Sequence, residues 1–276
     1  MKIALCNEVL AHLPLEGQCE LAAALGYDGL EIAPFTLGDA PHRLASTEIA
    51  RIRRTVESFG LVVTGLHWLL VAPPGLSVTD PDARIRARTR DVVAAIVALC
   101  AELGGGVLVH GSPKQRQIAA GEDHATALAR LRDFLADAAL LAERHGVVYC
   151  IEPLGRAETA LVNTVAEAAA LVREIDRPSL RTMIDTSAAG ASETQSVVEL
   201  IDQWLPTGVI GHVQVNDPNR RAPGQGAMRF APIFAALERH GWDRTVAVEP
   251  FDYVPDGAGA AAFAAGYLRG IRESLA

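Results

Sequence analysis

Four polar residues stand at regular intervals inside apolar stretches of this 276-residue chain. Glu152 lies in CIEPL, Asp185 in MIDTS, Gln214 in HVQVND and Glu249 in AVEPF, at separations of 33, 29 and 35 residues. Buried acids are costly unless a cation or hydrogen bonds compensate for lost hydration. Three carboxylates and an amide oxygen that converge suit a hard divalent cation, Mn²⁺ or Mg²⁺ first. The alternative is that these acids pair with arginine or cap helices.

The regular spacing requires a repeated structural unit. Eight apolar, β-rich runs cover residues 2–8, 29–35, 61–70, 105–111, 146–154, 180–186, 211–217 and 245–251. Between them, stretches such as 20–25, 48–59, 83–103 and 127–145 carry apolar residues at the helical period. Eight strand–helix units in this length predict an α/β fold, a single-domain (β/α)₈ TIM barrel over residues 1–276. An open doubly wound sheet is the competing arrangement.

The polar residues of these runs concentrate toward the strand ends, where TIM barrels carry their functional groups. They are Asn7, Glu8, Glu31, His67, His110, Glu152, Asp185, His212, Gln214 and Glu249. Because each interval in the set of four is about one strand–helix unit, its members are expected at equivalent positions on neighbouring strands.

Local signals predict where helices begin and end. Asp80-Pro81 is typical of an N-cap and a first helical residue, and Thr164 with Glu167 is typical of a capping box. Glycines stand where five helices are expected to stop: Gly26, Gly60, Gly104, Gly146 and Gly241.

Composition narrows the class of protein. Half of the residues are hydrophobic, 21% are charged and the net charge is −8, which argues against disorder and against a bulk-charge grip on nucleic acid. Aromatics are only 5%, too few for a base-stacking platform. The chain shows no apolar run of membrane length and no signal-peptide pattern at MKIALCNEVL. Four cysteines without a C-x-x-C pair indicate reduced thiols and a cytoplasmic protein.

The motifs E-P, G-R-A-E, I-D-T, H-V-Q-V-N-D-P-N-R-R-x-P-G-x-G and V-E-P, taken in order, resemble the xylose isomerase-like sugar isomerase/epimerase superfamily. The chain looks most like its D-tagatose 3-epimerase and hydroxypyruvate isomerase branch, over nearly its whole length. The resemblance implies one divalent metal ion, Mn²⁺ or Mg²⁺ first with Co²⁺ or Zn²⁺ as further candidates. Its ligands would be Glu152, Asp185, Gln214 and Glu249. The ketose epimerases carry histidine as the third ligand, whereas the hydroxypyruvate isomerase-like members carry glutamine in H-x-Q, as here.

The resemblance also implies the reaction. A proton beside a carbonyl would move through a cis-enediolate, with Glu152 and Glu249 as the catalytic acids and bases. The expected enzyme is a metal-dependent isomerase or epimerase of a small keto sugar or keto acid. No nucleic-acid or membrane partner is expected, and a homodimer is the family expectation. For His212, support of Gln214, packing in the core and a ligand role all stay open.

Substrate-binding residues follow from the same resemblance. Glu158 and Arg156 match the family's R-x-E, and Arg220 matches an arginine that contacts substrate oxygens; solvated loop charge is the alternative for each. His67 and His110 align with strand-end positions that related endonucleases use for extra zinc ions, and here they are expected to be hydrogen-bonding histidines of the pocket or core histidines.

Two features bear on the substrate. The sugar epimerases carry a substrate-binding histidine three residues after the aspartate ligand, where this chain has Ala188, so the substrate is expected to differ from a free ketohexose. Basic residues are expected in the loops above the barrel and would suit an anionic substrate, with solvated charge as the alternative. These are Lys114, Arg116, Arg156, Arg220 and Arg221.

Three other functions compete. A lyase or dehydratase of the same superfamily, such as a dehydroshikimate dehydratase-like or keto-glycoside-cleaving enzyme, would share the metal and the bases and differ only in products. An endonuclease IV-like DNA-repair enzyme would need three metals and a basic surface, against which Ala188, Gln214 and the acidic charge weigh. A non-catalytic sugar-binding barrel would need no metal.

Overall fold

Eight parallel strands, paired in chain order, close into a barrel in which the first strand also pairs with the last. The structure is a computed structural model that describes residues 1–275. The strands are β1 (Lys2–Cys6), β2 (Gly29–Ile32), β3 (Val62–Leu66), β4 (Val107–His110), β5 (Val148–Ile151), β6 (Leu180–Asp185), β7 (Ile210–Val215) and β8 (Thr245–Val248). The predicted (β/α)₈ TIM barrel is confirmed.

Helices connect the strands and cover the outside of the barrel. They are α1 (Leu15–Leu25), α2 (Ser46–Ser58), α3 (Ala83–Leu103), α4 (His124–His145), α5 (Val165–Ile175), α6 (Thr186–Ser192), α7 (Val197–Trp204), α8 (Phe230–Arg239) and α9 (Gly257–Leu275). Two of them, α6 and α7, follow β6, and each other strand is followed by one. The predicted runs 83–103 and 127–145 match α3 and the main part of α4.

The strands are shorter than the predicted apolar runs, mainly at their C-terminal ends. The run 61–70, for example, contains β3 only as Val62–Leu66, and the run 2–8 turns into a short 3₁₀ helix after Cys6. Most of the residues directly beyond the strand ends are still buried, which explains why the sequence pattern extends the strands over them. They form the first part of the loops that carry the site.

Two of the predicted helix starts differ in detail. Helix α3 is capped by Asp82, whose side chain accepts the Arg84 amide, so the prediction of Asp80 as N-cap was wrong. Asp80 accepts the Asp82 amide and forms the turn before the cap. Thr164 caps α5 as predicted, but the Glu167 side chain accepts the amide of Asn163 rather than that of Thr164.

The predicted helix stops are observed. Gly104 ends α3 and Gly146 ends α4, both in the left-handed conformation that glycine adopts without strain. Gly26 is the C-cap of α1, whereas Gly60 and Gly241 follow the C-caps of α2 and α8 by one residue.

The barrel interior changes character along its axis. A small apolar cluster of Val107, Val109, Cys150 and Met183 fills part of it, while the main apolar core lies between the barrel and its helices. Toward the C-terminal ends of the strands the interior holds buried polar groups, among them Glu31, His67, His212 and Gln214. No helix within residues 1–275 has the length and apolar character that a membrane crossing requires.

The four cysteines are buried free thiols, and we expect them to be unreactive in the native protein. Burial, aided by Glu16, raises the pKa of Cys19 to about 11, and burial, aided by Glu31, raises that of Cys6 well above its usual value. With Ellman's reagent at pH 8, the native chain should show negligible reaction, and four thiols should react after denaturation. A thiol that reacts in the native protein at the rate of a free cysteine would contradict this burial.

Candidate metal and proton-transfer site

Strands β5 to β8 bring the four predicted ligands to the same end of the barrel. Glu152 directly follows β5, Asp185 ends β6, Gln214 lies in β7 and Glu249 directly follows β8. One carboxylate oxygen from each acid lies within 4.8 Å of those of the other two. Gln214 is the register partner of Asp185, so it faces the interior beside that acid. All four are buried, with at most 6% of the residue exposed.

In both Asp185 and Gln214, one polar atom of the side chain makes a hydrogen bond and the other has no hydrogen-bond partner in the part of the chain that the structure describes. Asp185 Oδ1 accepts the Ala188 amide at 2.7 Å as the N-cap of α6, and Gln214 Nε2 donates to Glu31 Oε1 at 2.7 Å. Asp185 Oδ2 and Gln214 Oε1 are buried and have no hydrogen-bond partner among residues 1–275. Buried oxygens without partners are rare in folded proteins, and a cation satisfies them. The donor set therefore fits a divalent metal ion.

The acids of the site raise one another's pKa. Burial, and then the nearby Asp185, raises the pKa of Glu152 well above its ordinary value, although Arg116 opposes the shift. Burial and Glu152 do the same to the pKa of Glu249. Burial raises the pKa of Asp185 to about 6, against the lowering effect of its helix-cap hydrogen bonds. A bound cation would reverse these shifts by stabilising the charged forms.

Glu249 is oriented by two residues that follow β3. The Trp68 indole N–H donates to Glu249 Oε1 at 3.0 Å, and His67 Nε2 lies 3.7 Å from the same oxygen. His67 Nε2 also hydrogen-bonds Glu8 Oε2 at 2.8 Å; burial would lower the pKa of His67, but Glu8 and Glu31 raise it above its usual value. Trp68 has a φ of 51°, an uncommon left-handed conformation for a bulky side chain.

Asn216 connects the ends of three strands around the site. Its Nδ2 donates to the backbone oxygen of Glu249 at 2.8 Å, and its Oδ1 accepts the amide of Ser187 at 2.9 Å. Asn216 follows β7, while Glu249 follows β8 and Ser187 lies in the first turn of α6. This buried amide therefore fixes the backbone on either side of Gln214.

Glu31 is a site residue to which the sequence assigned no role. It is fully buried on β2; His212 Nε2 lies 2.7 Å from its Oε2 and His67 Nδ1 lies 3.6 Å from its Oε1. Burial alone would raise the pKa of Glu31, but His212, His67 and the Gln214 amide together hold it below its ordinary value. An acid inside the apolar run GLEIAPF was the only available signal.

A pocket opens beside the acids. Its lining comprises His67, Trp68, Gly111, Glu152, Leu154, Glu158, Glu249 and Phe251. Arg220 extends over the Phe251 ring, 4.7 Å from its centroid, and its Nη1 lies 3.9 Å from Glu158 Oε1. Glu158 and His67 thus line the same pocket as Glu152 and Glu249, and Arg220 lies at its edge against Glu158 and Phe251.

The structure does not bring His110 and Arg156 into this pocket. Val107 and Val109 of β4 face the barrel interior, so alternation turns His110 outward, where its Nδ1 meets the Tyr149 hydroxyl at 2.7 Å and its ring packs against Phe134. Burial and Arg116 lower the pKa of His110 to about 3, as expected for a neutral core histidine. Arg156 is exposed and makes no hydrogen bond or ion pair within the described chain.

The five basic residues predicted in the loops above the barrel do not form one solvent-exposed group. Arg116 is fully buried, and its Nη2 donates to the backbone oxygen of Glu152 at 2.6 Å. Burial lowers its pKa to about 10, although Glu152 and Glu158 act in the opposite direction. Arg221 pairs with Asp252 at 2.8 Å, and Lys114 is exposed. Of these five basic residues, Arg220 is the one that lies against residues lining the pocket, Phe251 and Glu158.

The closed barrel of eight parallel strands makes this a TIM-barrel protein, and its candidate site lies at the C-terminal ends of the strands. Residues 19–271 match the family described as xylose isomerase-like TIM barrel, and the chain belongs to this family. This confirms the resemblance seen in the sequence.

Named relatives refine the comparison. The chain is 29% identical to D-psicose 3-epimerase of Ruminiclostridium cellulolyticum, over 84% of this chain and 76% of that one. It is 27% identical to L-ribulose 3-epimerase of Methylomonas sp., over 83% and 76% of the two chains. A crystal structure of D-psicose 3-epimerase in the presence of D-fructose superposes with a TM-score of 0.83 at 22% identity, covering 98% of this chain and 99% of that one. The predicted enzyme class, isomerase or epimerase, is confirmed at this level.

We expect Glu249→Gln to stabilise the metal-free protein by about 0.5–2 kcal/mol, as removal of active-site strain commonly does. Because the pKa of Glu249 is raised in the folded state, its destabilising effect is absent near pH 4 and develops as the pH rises above its ordinary value. Chemical denaturation in EDTA at pH 4 and at pH 8 measures the free energies of unfolding of the variant and the wild type. Glu20→Gln, an exposed change on α1, is the control and should have no effect at either pH. A Glu249→Gln variant less stable than the wild type at pH 8 would refute the prediction.

Proposed function

We propose that this protein is a divalent-metal-dependent isomerase or epimerase of a small keto sugar. The observation that carries the proposal is the buried oxygen set of Glu152, Asp185, Gln214 and Glu249, two of whose oxygens have no partner within residues 1–275. The names of the relatives, which include D-psicose and L-ribulose 3-epimerases, support a ketose as substrate.

These four residues would hold the metal. A donor set of carboxylate and amide oxygens favours Mn²⁺ or Mg²⁺ over Zn²⁺ or Co²⁺, which more often bind nitrogen and sulfur. When bound, such an ion supplies a Lewis acid that stabilises negative charge developing on substrate oxygens. Glu152 and Glu249 would then serve both as ligands and as the groups that carry the proton.

Proton transfer is assigned to Glu152 and Glu249. One carboxylate would remove the proton beside the carbonyl to give a cis-enediolate, and the reaction outcome depends on which group returns it. Return to the opposite face of the same carbon by the second acid yields an epimer, and return to the neighbouring carbon yields an isomer. Trp68 would keep Glu249 oriented for this role, because an indole N–H only donates and so favours the anionic carboxylate.

Glu158 and Arg220 are assigned to the substrate end that is distant from the reacting carbon. The Glu158 carboxylate would accept hydrogen bonds from hydroxyls, and Arg220 would donate to oxygens from its position over Phe251. Trp68 and Phe251, 6.2 Å apart in an edge-to-face pair, would form an apolar wall that excludes water. His67 would contact the substrate or orient Glu249.

A small keto acid is the second candidate substrate. Gln214 and Ala188 both depart from the ketose epimerase pattern, and the H-x-Q arrangement is the one found in hydroxypyruvate isomerase-like members. Arg220 is the cation at the pocket that would bind a carboxylate. With a keto acid as substrate, the roles proposed for the four ligands and the two bases would be unchanged.

The proposal predicts about one bound Mn²⁺ per chain after reconstitution, with binding reduced in Glu249→Gln and retained in Glu20→Gln. Reaction of the Mn²⁺-loaded enzyme with D-psicose, L-ribulose and hydroxypyruvate in D₂O, followed by NMR, identifies the outcome. Deuterium at carbon 3 of a ketose with inverted configuration indicates epimerisation, and a moved carbonyl indicates isomerisation. An elimination product would assign a lyase instead, three bound zinc ions would favour the nuclease, and failure to bind any metal would refute the proposal.

Gly111 provides a test of the Glu152 position. A Cβ on Gly111 would overlap Glu152 Oε2, so the carboxylate can occupy its place only beside a glycine. Since that carboxylate ends a flexible side chain, Gly111→Ala should fold normally, displace Glu152 and lower activity about 100-fold. Gly106→Ala is the matched control, because a Cβ there meets nothing within 4 Å. Equal Mn²⁺ affinity and activity in the two variants would contradict the assigned role of Glu152.

A further inference from the structure

The third ligand candidate has an orientation problem that the acids do not share. A glutamine side chain ends in one oxygen and one NH₂ group of nearly equal shape, and only the oxygen can bind a cation. Rotation by 180° would direct the N–H groups of Gln214 at the site. Some other group must therefore select the rotamer that presents the oxygen.

Glu31 is placed to make this selection. Its Oε1 accepts the Gln214 Nε2 at 2.7 Å, whereas Gln214 Oε1 is buried without a partner among the described residues. An ionised carboxylate only accepts hydrogen bonds, so it pairs with the NH₂ group and repels the oxygen. The weaker contact of Gln214 Nε2 with Cys6 Sγ, at 4.0 Å, favours the same orientation.

Glu31 reaches Gln214 across the barrel. Its strand, β2, is not adjacent to β7, so the contact with Gln214 spans the barrel interior between residues 183 positions apart in sequence. Glu31 is fully buried, and a buried acid weakens the fold unless its partners compensate. Those partners are His212, His67 and Gln214, all on the inner side of the barrel.

We propose that Glu31 is a positioning residue that fixes the Gln214 carboxamide with its oxygen toward the metal site and so sets the metal affinity. The inference rests on the proposed metal-dependent function. It assigns Glu31 no contact with substrate or metal. Its effect is exerted through one hydrogen bond, and exchange of the two partners should preserve it.

The test is Mn²⁺ binding to the metal-free full-length protein by isothermal titration calorimetry. Glu31→Gln replaces one of the two acceptor oxygens by an NH₂ group, so residue 31 no longer excludes the flipped orientation of Gln214, and the dissociation constant should rise about 10- to 100-fold. In Glu31→Gln/Gln214→Glu the glutamine donates to one oxygen of the new carboxylate and leaves the other oxygen free, so affinity should return to the wild-type value or better. Val109→Ala, an interior change on β4 outside the network, is the control and should bind as the wild type does.

The outcomes separate the two proposals. A wild type that binds no Mn²⁺ would refute the metal site and, with it, the role of Glu31. If the wild type and Glu31→Gln bind Mn²⁺ equally tightly, the positioning role of Glu31 is refuted and the metal site is not. A double variant that folds, by circular dichroism and thermal unfolding in EDTA, but fails to recover affinity would also refute it. If Glu31→Gln does not fold, the Mn²⁺ affinity of the double variant compared with that of the wild type still tests the positioning role.

Discussion

The structure depends on one electrostatic constraint, the burial of several carboxylates within a single barrel interior. Glu152, Asp185 and Glu249 approach one another closely, and Glu31 lies in the same interior. Each has a specific compensation that reduces the cost of desolvation: the charge of Arg116 near Glu152, the α6 helix cap for Asp185, the Trp68 indole for Glu249 and the paired histidines for Glu31. These compensations are partial, because the pKa values of the three clustered acids remain raised. The proposed metal ion would supply the positive charge that these compensations do not provide.

The barrel places this unstable group of charges on a rigid support. The strands end early, and the acids stand on or just after their last residues, where the hydrogen-bonded ladder still fixes the backbone. Asn216 extends that support by tying the Glu249 backbone to the start of α6. Apolar packing against the outer helices stabilises the fold, whereas the clustered acids of the candidate site occupy one end of the barrel interior.

The sequence was sufficient to predict the repeated strand–helix units and the residues placed on them. It was not sufficient to predict the direction in which individual side chains point. Eight apolar runs with helical connections suffice to predict the barrel, and separations of about one strand–helix unit locate Glu152, Asp185, Gln214 and Glu249 on neighbouring strands. His67 and His110 look equivalent in sequence, yet a shift of one residue relative to the strand alternation turns the first inward and the second outward. Arg116 looks like a loop charge because nothing local records that the chain folds over it. Gly111 and Glu31 matter through contacts with residues distant in sequence, and local patterns in a single sequence do not reveal those contacts.

The two proposed proton carriers have different surroundings, and each is held in place in a different way. Glu249 receives a hydrogen bond from the Trp68 indole, a donor that favours the carboxylate anion, and lies 3.7 Å from His67 Nε2. Glu152 has the charge of Arg116 behind its backbone and the open face of Gly111 beside its carboxylate, so it is held by field and shape rather than by a fixed donor. Burial and neighbouring acids raise the pKa of both carboxyl groups, and Arg116 opposes this rise at Glu152. The two acids therefore differ in how they are held: Glu249 has a fixed hydrogen-bond donor, whereas the carboxylate of Glu152 is placed by the space beside Gly111.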